Sequence, residues 1–279
     1  MESGLINKFG FNVFNQPPED FFEYAAINNL KHIEINLTQE HSSLTSFDIK
    51  RIRKLNRLSS KHKISLSFHL PFTINISEIL SPIRKRNIEY LKNCIILGRK
   101  LKITHITTHI GNFYWFPSKK IMRQNALDRF VKNLNDIIKI CESNKITLAL
   151  ENVVPIPPGS DYFFLGDSIS DFDFIFRNIK SDYLKFCLDT GHANIAEGVI
   201  PYMQNYKEKL VAIHYHDNSG FDDEHLPIGK GTVPWNDVML TLKQIKYRGP
   251  IISECRNISH EDAAGIFIQL YNDATIENP

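Results

Sequence analysis

FGFNVFNQPPED, residues 9–20, decides between two architectures for this chain. FGFNVF is apolar and aromatic-rich and reads as a strand; NQPPED follows it. A doubly wound open sheet places a glycine-rich phosphate turn at this first crossover, and here two prolines and two acids stand in that place. The next stretch, PEDFFEYAAINNL, has a helical pattern. The same alternation of strand and helix then repeats to the end of the chain.

The further strand candidates are HIEINL (32–37), ISLSFHL (64–70), ITHITTHI (103–110), ITLALEN (146–152), LKFCLDT (184–190), LVAIHYH (210–216) and PIISEC (250–255). Each is followed by an amphipathic segment. In IMRQNALDRFVKNLNDIIKICES, Ala126, Phe130, Val131, Leu134, Ile137 and Ile138 recur at steps that form one apolar stripe of a helix. Eight βα units predict an α/β fold of the (β/α)8 TIM barrel type, a size such barrels commonly reach as one unit. No composition break divides the chain, so residues 1–279 are expected to form a single domain.

A hydrophobic fraction of 42% with 23% charged residues is that of a globular protein with a packed core. MESGLINKFG carries no basic, then apolar, leader pattern, and no eighteen apolar residues run together, which excludes a membrane span and leads us to expect a cytoplasmic location. Cys94, Cys141, Cys187 and Cys255 lie far apart, without a C-x-x-C pair, and are expected to be reduced, interior thiols. The net charge of +2 argues against wholesale phosphate-backbone binding, although residues 1–140 hold 22 Lys and Arg against 11 Asp and Glu, and the remainder 11 against 20. The basic runs RIRK (51–54), IRKR (83–86) and GRKLK (98–102) fall in helical segments and read as solvated outer faces.

Ionisable side chains recur where these strands end: Glu34, His69, His109, Glu151, Asp189, His216 and Glu254. From His69 onward the steps are 40, 42, 38, 27 and 38 residues, about one βα unit each. In a parallel barrel all strand C-termini open on one mouth, where such folds carry their chemistry. Singly, a histidine there is commonly a hydrogen-bonded loop residue, and an Asp or Glu a helix cap. Six in register differ, because mutually repelling carboxylates on one rim call for a cation. His192, three residues past Asp189 in DTGH, reaches the same centre. In the stretch HYHDNSGFDDEHLPIGKG (214–231), Asp223 and His225 alternate around Glu224 and would share one side of an extended chain, with Gly229 and Gly231 allowing tight turns. Asp217 and Asp222 read as supporting loop residues. His214 would share the face of His216 on a regular strand.

Together, HIEINL, SFHLPFTINIS, THIG, LALEN, CLDTGHANIAEG, HYHDN, DEHLPIGKGTVPW and ISEC resemble the xylose isomerase-like TIM barrels, the superfamily that joins sugar isomerases and epimerases with endonuclease IV. The likeness runs over nearly the whole chain. Toward the epimerases it implies one divalent ion held by Glu151, Asp189, His216 and Glu254. Glu151 and Glu254 would then remove and return a proton as catalytic residues, and His192 would contact substrate. GKGTVPW also resembles this branch. On the family pattern, His214 is not among the ligands.

Toward the endonuclease IV branch, the AP endonuclease family 2, the resemblance implies three zinc ions held by nine ligands, adding His69, His109, His192, Asp223 and His225 to the four. Phe72 would stand where an aromatic residue touches DNA. LENVVPIPPGSDYF, THIGNF and GKGTVPW depart from that branch, and the basic residues lie mainly on helices, away from the mouth where DNA would dock.

Divalent metal is therefore the expected cofactor, zinc or manganese, one to three ions per chain. The leading expectation is an isomerase or epimerase of a small carbohydrate or sugar phosphate. A phosphodiester hydrolase with nucleic acid as partner is the alternative, and a metal-stabilised binding protein without turnover the third. Two loops are expected to set the substrate: GNFYWFPS (111–118), with Phe113, Tyr114, Trp115 and Phe116, and the proline-rich VVPIPPGSDYFFLGDS (153–168), read as an ordered lid. Trp115 and Arg256 are the further substrate-binding candidates. No feature of the sequence fixes an oligomeric state.

Overall fold

Residues 8–114, 120–157 and 159–275 are described in the computed structural model. In chain order the strands are β1 (Phe9–Val13), β2 (His32–Asn36), β3 (Ser65–His69), β4 (His105–Thr108), β5 (Gly111–Tyr114), β6 (Thr147–Glu151), β7 (Tyr162–Leu165), β8 (Leu184–Asp189), β9 (Leu210–Tyr215) and β10 (Ile251–Ser253). Eight of them, β1-β10-β9-β8-β6-β4-β3-β2, close into a barrel in which every pair is parallel. The TIM barrel reading of the sequence is therefore met, and each strand falls within a residue or two of its expected bounds.

The helices are α1 (Phe22–Ile27), α2 (Ile49–His62), α3 (Ser81–Leu101), α4 (Lys120–Asn144), α5 (Ile169–Asn178), α6 (Thr190–Ile195), α7 (Val199–Tyr206), α8 (Trp235–Gln244) and α9 (His260–Asp273). Three of the described helices begin at side-chain caps: Asp48 accepts from the Arg51 amide at 2.7 Å, Asp189 from the His192 amide at 2.8 Å and Ser259 from the Asp262 amide at 3.2 Å. On α4, Ala126, Leu127, Phe130, Leu134, Ile137, Ile138 and Cys141 are buried, and Val131 is half-buried at the edge of the stripe. Truncating Phe130 to Ala would remove about 3–5 kcal/mol by leaving a cavity. None of the described helices is long and apolar enough to cross a membrane. All four cysteines are free and buried, as expected.

Two features depart from the sequence reading. Residues 111–114 and 162–165 do not lie as separate loops; they pair antiparallel as the β5–β7 ribbon beside the barrel mouth. Phe113 and Phe163 stack at 4.7 Å and are buried, so Phe113 is a packing residue and does not face substrate. Trp115 and Phe116 lie outside the described residues. The basic runs are mostly exposed on α2 and α3, with Arg51 and Arg84 half-buried. Arg51 turns inward to Glu19 at 2.6 and 2.9 Å and caps the Ser46 carbonyl and hydroxyl. It ties the segment after β1 to the start of α2.

Candidate metal centre

Of the nine candidate ligands, His69, Glu151 and Asp189 are the last residues of β3, β6 and β8. His109, His216 and Glu254 follow one residue after β4, β9 and β10. Parallel closure brings these six ends to one rim. Seven of the nine, His69, His109, Glu151, His192, Asp223, His225 and Glu254, line one cavity of about 350 Å³. Asp189 and His216 form its buried floor, with Asp189 Oδ1 3.0 Å from His216 Nε2.

Three groups can be distinguished by contact. His69 Nε2 and His109 Nε2 each stand 3.1 Å from Glu151 Oε2. Asp189 faces His216 at the centre. Asp223 Oδ2 is 3.5 Å from His192 Nε2 and 3.2 Å from His225 Nε2, and Asp223 Oδ1 is 3.7 Å from His216 Nε2. Asp223 and His225 do converge, but not through an extended chain: His225 has φ +52°, a left-handed conformation uncommon for a non-glycine residue. That bend turns its ring back onto Asp223 and stacks it on His216 at 4.0 Å.

The chain also fixes which ring nitrogen faces the cavity. His69 Nδ1 donates to the Leu70 carbonyl, His192 Nδ1 to the Asn152 carbonyl and His225 Nδ1 to the Glu254 carbonyl, each at 2.9 Å. A carbonyl can only accept, so the proton of a neutral ring sits on Nδ1 and the Nε2 lone pair points inward. There it meets carboxylate oxygens at 3.1–3.5 Å. Lone pair against carboxylate is repulsive unless a proton or a cation lies between them. His216 Nε2 and Asp189 Oδ2 are buried without a hydrogen-bond partner among the described residues. Oriented imidazoles, oxygen donors and these orphaned atoms together fit a divalent cation.

Without one, protons take that place. Burial pushes the His69 and His192 pKa values down, but Glu151 for His69 and Asp189 with Asp223 for His192 outweigh it, raising them to about 9 and about 10. Burial would raise the Glu151 carboxyl, yet His214, His109 and His69 hold it well below the usual carboxylate range. Glu151 is thus an ionised, buried carboxylate surrounded by imidazoles.

Local chain geometry supports the centre. Asp189 caps α6, accepting from the His192 amide at 2.8 Å, so His192 sits on a short helix. Asp217, read as a supporting residue, accepts from the amides of Asn218, Gly229 and Val233 and from Trp235 Nε1 at 2.8–3.1 Å, organising the loop that carries Asp223 and His225. Asp222 is exposed. Phe72 lines the cavity with Phe164, their rings edge to face at 5.1 Å, and Arg123 holds the Phe164 carbonyl at 3.1 Å. Arg256 is exposed and absent from the cavity lining; its amide donates to the His225 carbonyl.

Two residues beneath the centre stand outside the nine ligand candidates. His214 Nδ1 is 2.8 Å from Glu151 Oε1 and 3.3 Å from Glu254 Oε1, and Nε2 is 3.0 Å from Glu34 Oε2. Glu34 lies in the middle of β2, not at its end, and both residues are fully buried. The shared inward face of His214 and His216 was the available signal.

A closed parallel barrel that gathers His, Asp and Glu at the C-terminal ends of its strands offers candidate cation-binding groups at its mouth. The chain belongs to the xylose isomerase-like TIM barrel family, whose profile matches residues 22–269. An uncharacterised protein of Methanocaldococcus jannaschii is 30% identical over 75% of this chain and 70% of its own length. A D-psicose 3-epimerase of Enterocloster bolteae is 26% identical over 47% of this chain and 41% of its own. Among solved structures, a D-tagatose 3-epimerase-like protein superposes with a TM-score of 0.80 at 28% identity, covering 95% of this chain and 98% of that one.

Proposed function

We propose that this protein is a divalent-metal-dependent isomerase or epimerase of a small sugar or sugar phosphate, acting by proton transfer at a carbon next to a carbonyl. The observation that carries this reading is the pairing of Glu151 and Glu254 on one cavity of about 350 Å³, both reached by the same His214 nitrogen. That volume suits a single small ligand, and among the described lining residues there is no Lys or Arg to neutralise a nucleic-acid backbone. Likeness to the D-tagatose 3-epimerase-like protein and the D-psicose 3-epimerase supports the same class.

Glu151, Asp189, His216 and Glu254 would hold the ion, manganese or zinc, which when bound polarises the substrate oxygens and lowers the cost of removing the adjacent carbon-bound proton. One glutamate takes that proton, the electron pair moves toward the carbonyl oxygen, and the other glutamate delivers a proton to the opposite face of the carbon. Val153, Val154, Phe72 and Phe164 bound the apolar side of the cavity and exclude water from the reacting face. His192 stands where it can hold a substrate hydroxyl, with its Nδ1 proton committed to the Asn152 carbonyl. A cytoplasmic location is part of this proposal. Incubation of ketoses and their phosphates with the metal-loaded protein in deuterated water tests it: deuterium should enter the sugar at carbon as epimers interconvert, and no exchange with any of them would sink the reading.

A specific observation favours a second reading. The groupings His69–His109–Glu151 and His192–Asp223–His225 flank the central pair, and proton transfer has no evident need of them. They suit a multinuclear centre that hydrolyses a phosphodiester. Nicking of abasic DNA by the zinc- or manganese-loaded protein would favour it.

A further inference from the structure

Beneath the metal-binding rim, the barrel interior carries a polar column that a hydrophobic core would not require. Glu34 is fully buried, and its carboxylate accepts from Asn12 Nδ2 and Ser67 Oγ, each at 3.1 Å, and from Thr107 Oγ1 at 3.2 Å. These donors come from β1, β3 and β4, so three strands fix the carboxylate's orientation. The column continues downward, with His32 Nε2 2.8 Å from Ser67 Oγ and His32 Nδ1 2.7 Å from Ser65 Oγ. Upward, Glu34 faces His214 at 3.0 Å, and the other nitrogen of that ring faces Glu151 at 2.8 Å and Glu254 at 3.3 Å.

Both His214 nitrogens thus face carboxylate oxygens, and the ring is fully buried and does not line the cavity. Its neighbour His216 faces the rim instead, with Nε2 3.0 Å from Asp189 Oδ1 and 3.7 Å from Asp223 Oδ1. Burying a carboxylate and an imidazole costs several kcal/mol of desolvation, and an apolar pair of the same shape would stabilise the barrel at least as well. What the pair supplies is geometry. One ring nitrogen fixes one oxygen of each glutamate, leaving Glu151 Oε2 turned toward His69 and His109. Partners of this kind behind a ligating carboxylate typically set metal affinity by ~10–100-fold.

We propose that Glu34 and His214 are positioning residues for the metal centre: Glu34 locks the His214 ring, and His214 aims Glu151 and Glu254 at the cation without itself ligating it. The inference rests on a divalent ion at this centre and is independent of which reaction follows.

Titration of metal-free protein with Co²⁺, read by visible absorption, tests it on the wild type, Glu34→Gln, His214→Gln and Asn12→Ala, with thermal melts of each metal-free chain. We expect Glu34→Gln and His214→Gln to bind the wild-type number of ions ~10–100-fold more weakly, with shifted cobalt bands at saturation. Asn12→Ala, which frees one hydrogen bond of Glu34 from a partly exposed position, should weaken binding by a smaller factor and serves if His214→Gln does not fold. Loss of one whole ion in His214→Gln at unchanged affinity for the rest would make His214 a ligand and overturn the proposal. Unchanged affinity and spectrum in Glu34→Gln or Asn12→Ala would overturn it equally. Wild-type protein that takes up no cobalt would remove the metal centre itself, and this inference with it.

Discussion

Gly191 passes directly beneath the ring of His216, so close that a β-carbon on Gly191 would stand 1.9 Å from His216 Cε1. His216 is fully buried and cannot swing aside without displacing Asp189 or His225. The glycine of DTGH is therefore a requirement of packing. Gly191→Ala should force the ring off its 3.0 Å contact with Asp189. We predict a loss of about 1–3 kcal/mol in stability from overpacking and at least ~10-fold weaker metal binding. Thermal melts and a metal titration read the two effects separately, and wild-type values in both would show that the ring has room.

Metal loading should be proton-coupled. In the metal-free chain His69 and His192 hold protons up to about pH 9 and about pH 10, because Glu151, Asp189 and Asp223 outweigh the effect of burial. A cation held by Glu151 and Asp189 offsets the carboxylate charge that keeps those protons, so its binding should lower both pKa values and release protons. Both groups are protonated below those values, so metal affinity should rise with pH and level off only as pH passes through their pKa range. Calorimetry of Mn²⁺ binding near pH 7 in two buffers of different ionisation enthalpy should show release of one or more protons per chain; equal heats in the two buffers would contradict this.

Arg51 and Glu19 provide a pH effect away from the site. Burial works to raise the Glu19 pKa, but the hydrogen bonds and charge of Arg51 outweigh it and the net shift is downward. A carboxyl whose folded pKa is depressed contributes stability above its unfolded pKa and loses it as pH falls through the folded value. Glu19→Gln should cost about 2 kcal/mol at pH 7, between the values for exposed and buried pairs, and the deficit should shrink below about pH 4. Urea melts of both proteins at pH 7 and pH 3.5 check it, and a deficit that grows on acidification would reverse the sign we assign.

Glu151→Gln and Glu254→Gln should each lower turnover by ~10²–10⁴-fold, the usual contribution of a positioned acid or base. Loss of a ligand also weakens the metal, so turnover must be compared at saturating Mn²⁺. Activity restored to wild type by excess metal would leave the glutamates as ligands alone.

The barrel was legible because strand and helix periods alternate without a break from FGFNVF to HEDAAGIFIQLYND. The rim residues were legible for the same reason, since parallel closure turns regular sequence spacing into convergence. The β5–β7 ribbon was not, because GNFY and YFFL carry no clean alternation and pair across about fifty residues, so only tertiary contact defines them. His214 was visible as sharing a face with His216, but two residues along a strand are about 6.6 Å along its axis. That step carries His214 from the rim to the layer below, where Glu34 already lies. For His225 an extended chain gave the right partner for the wrong reason, because its left-handed backbone, not strand alternation, closes the ring onto Asp223.

The most direct test of the central claim is the number of metal ions per chain, by elemental analysis of protein purified without chelator or a metal-affinity step. The proposed epimerase or isomerase predicts close to one, held by Glu151, Asp189, His216 and Glu254. Two or three ions would contradict it in favour of the flanking groups as ligands and phosphoester hydrolysis as the reaction; none, in protein also incubated with excess Mn²⁺ or Zn²⁺, would contradict a metal centre altogether.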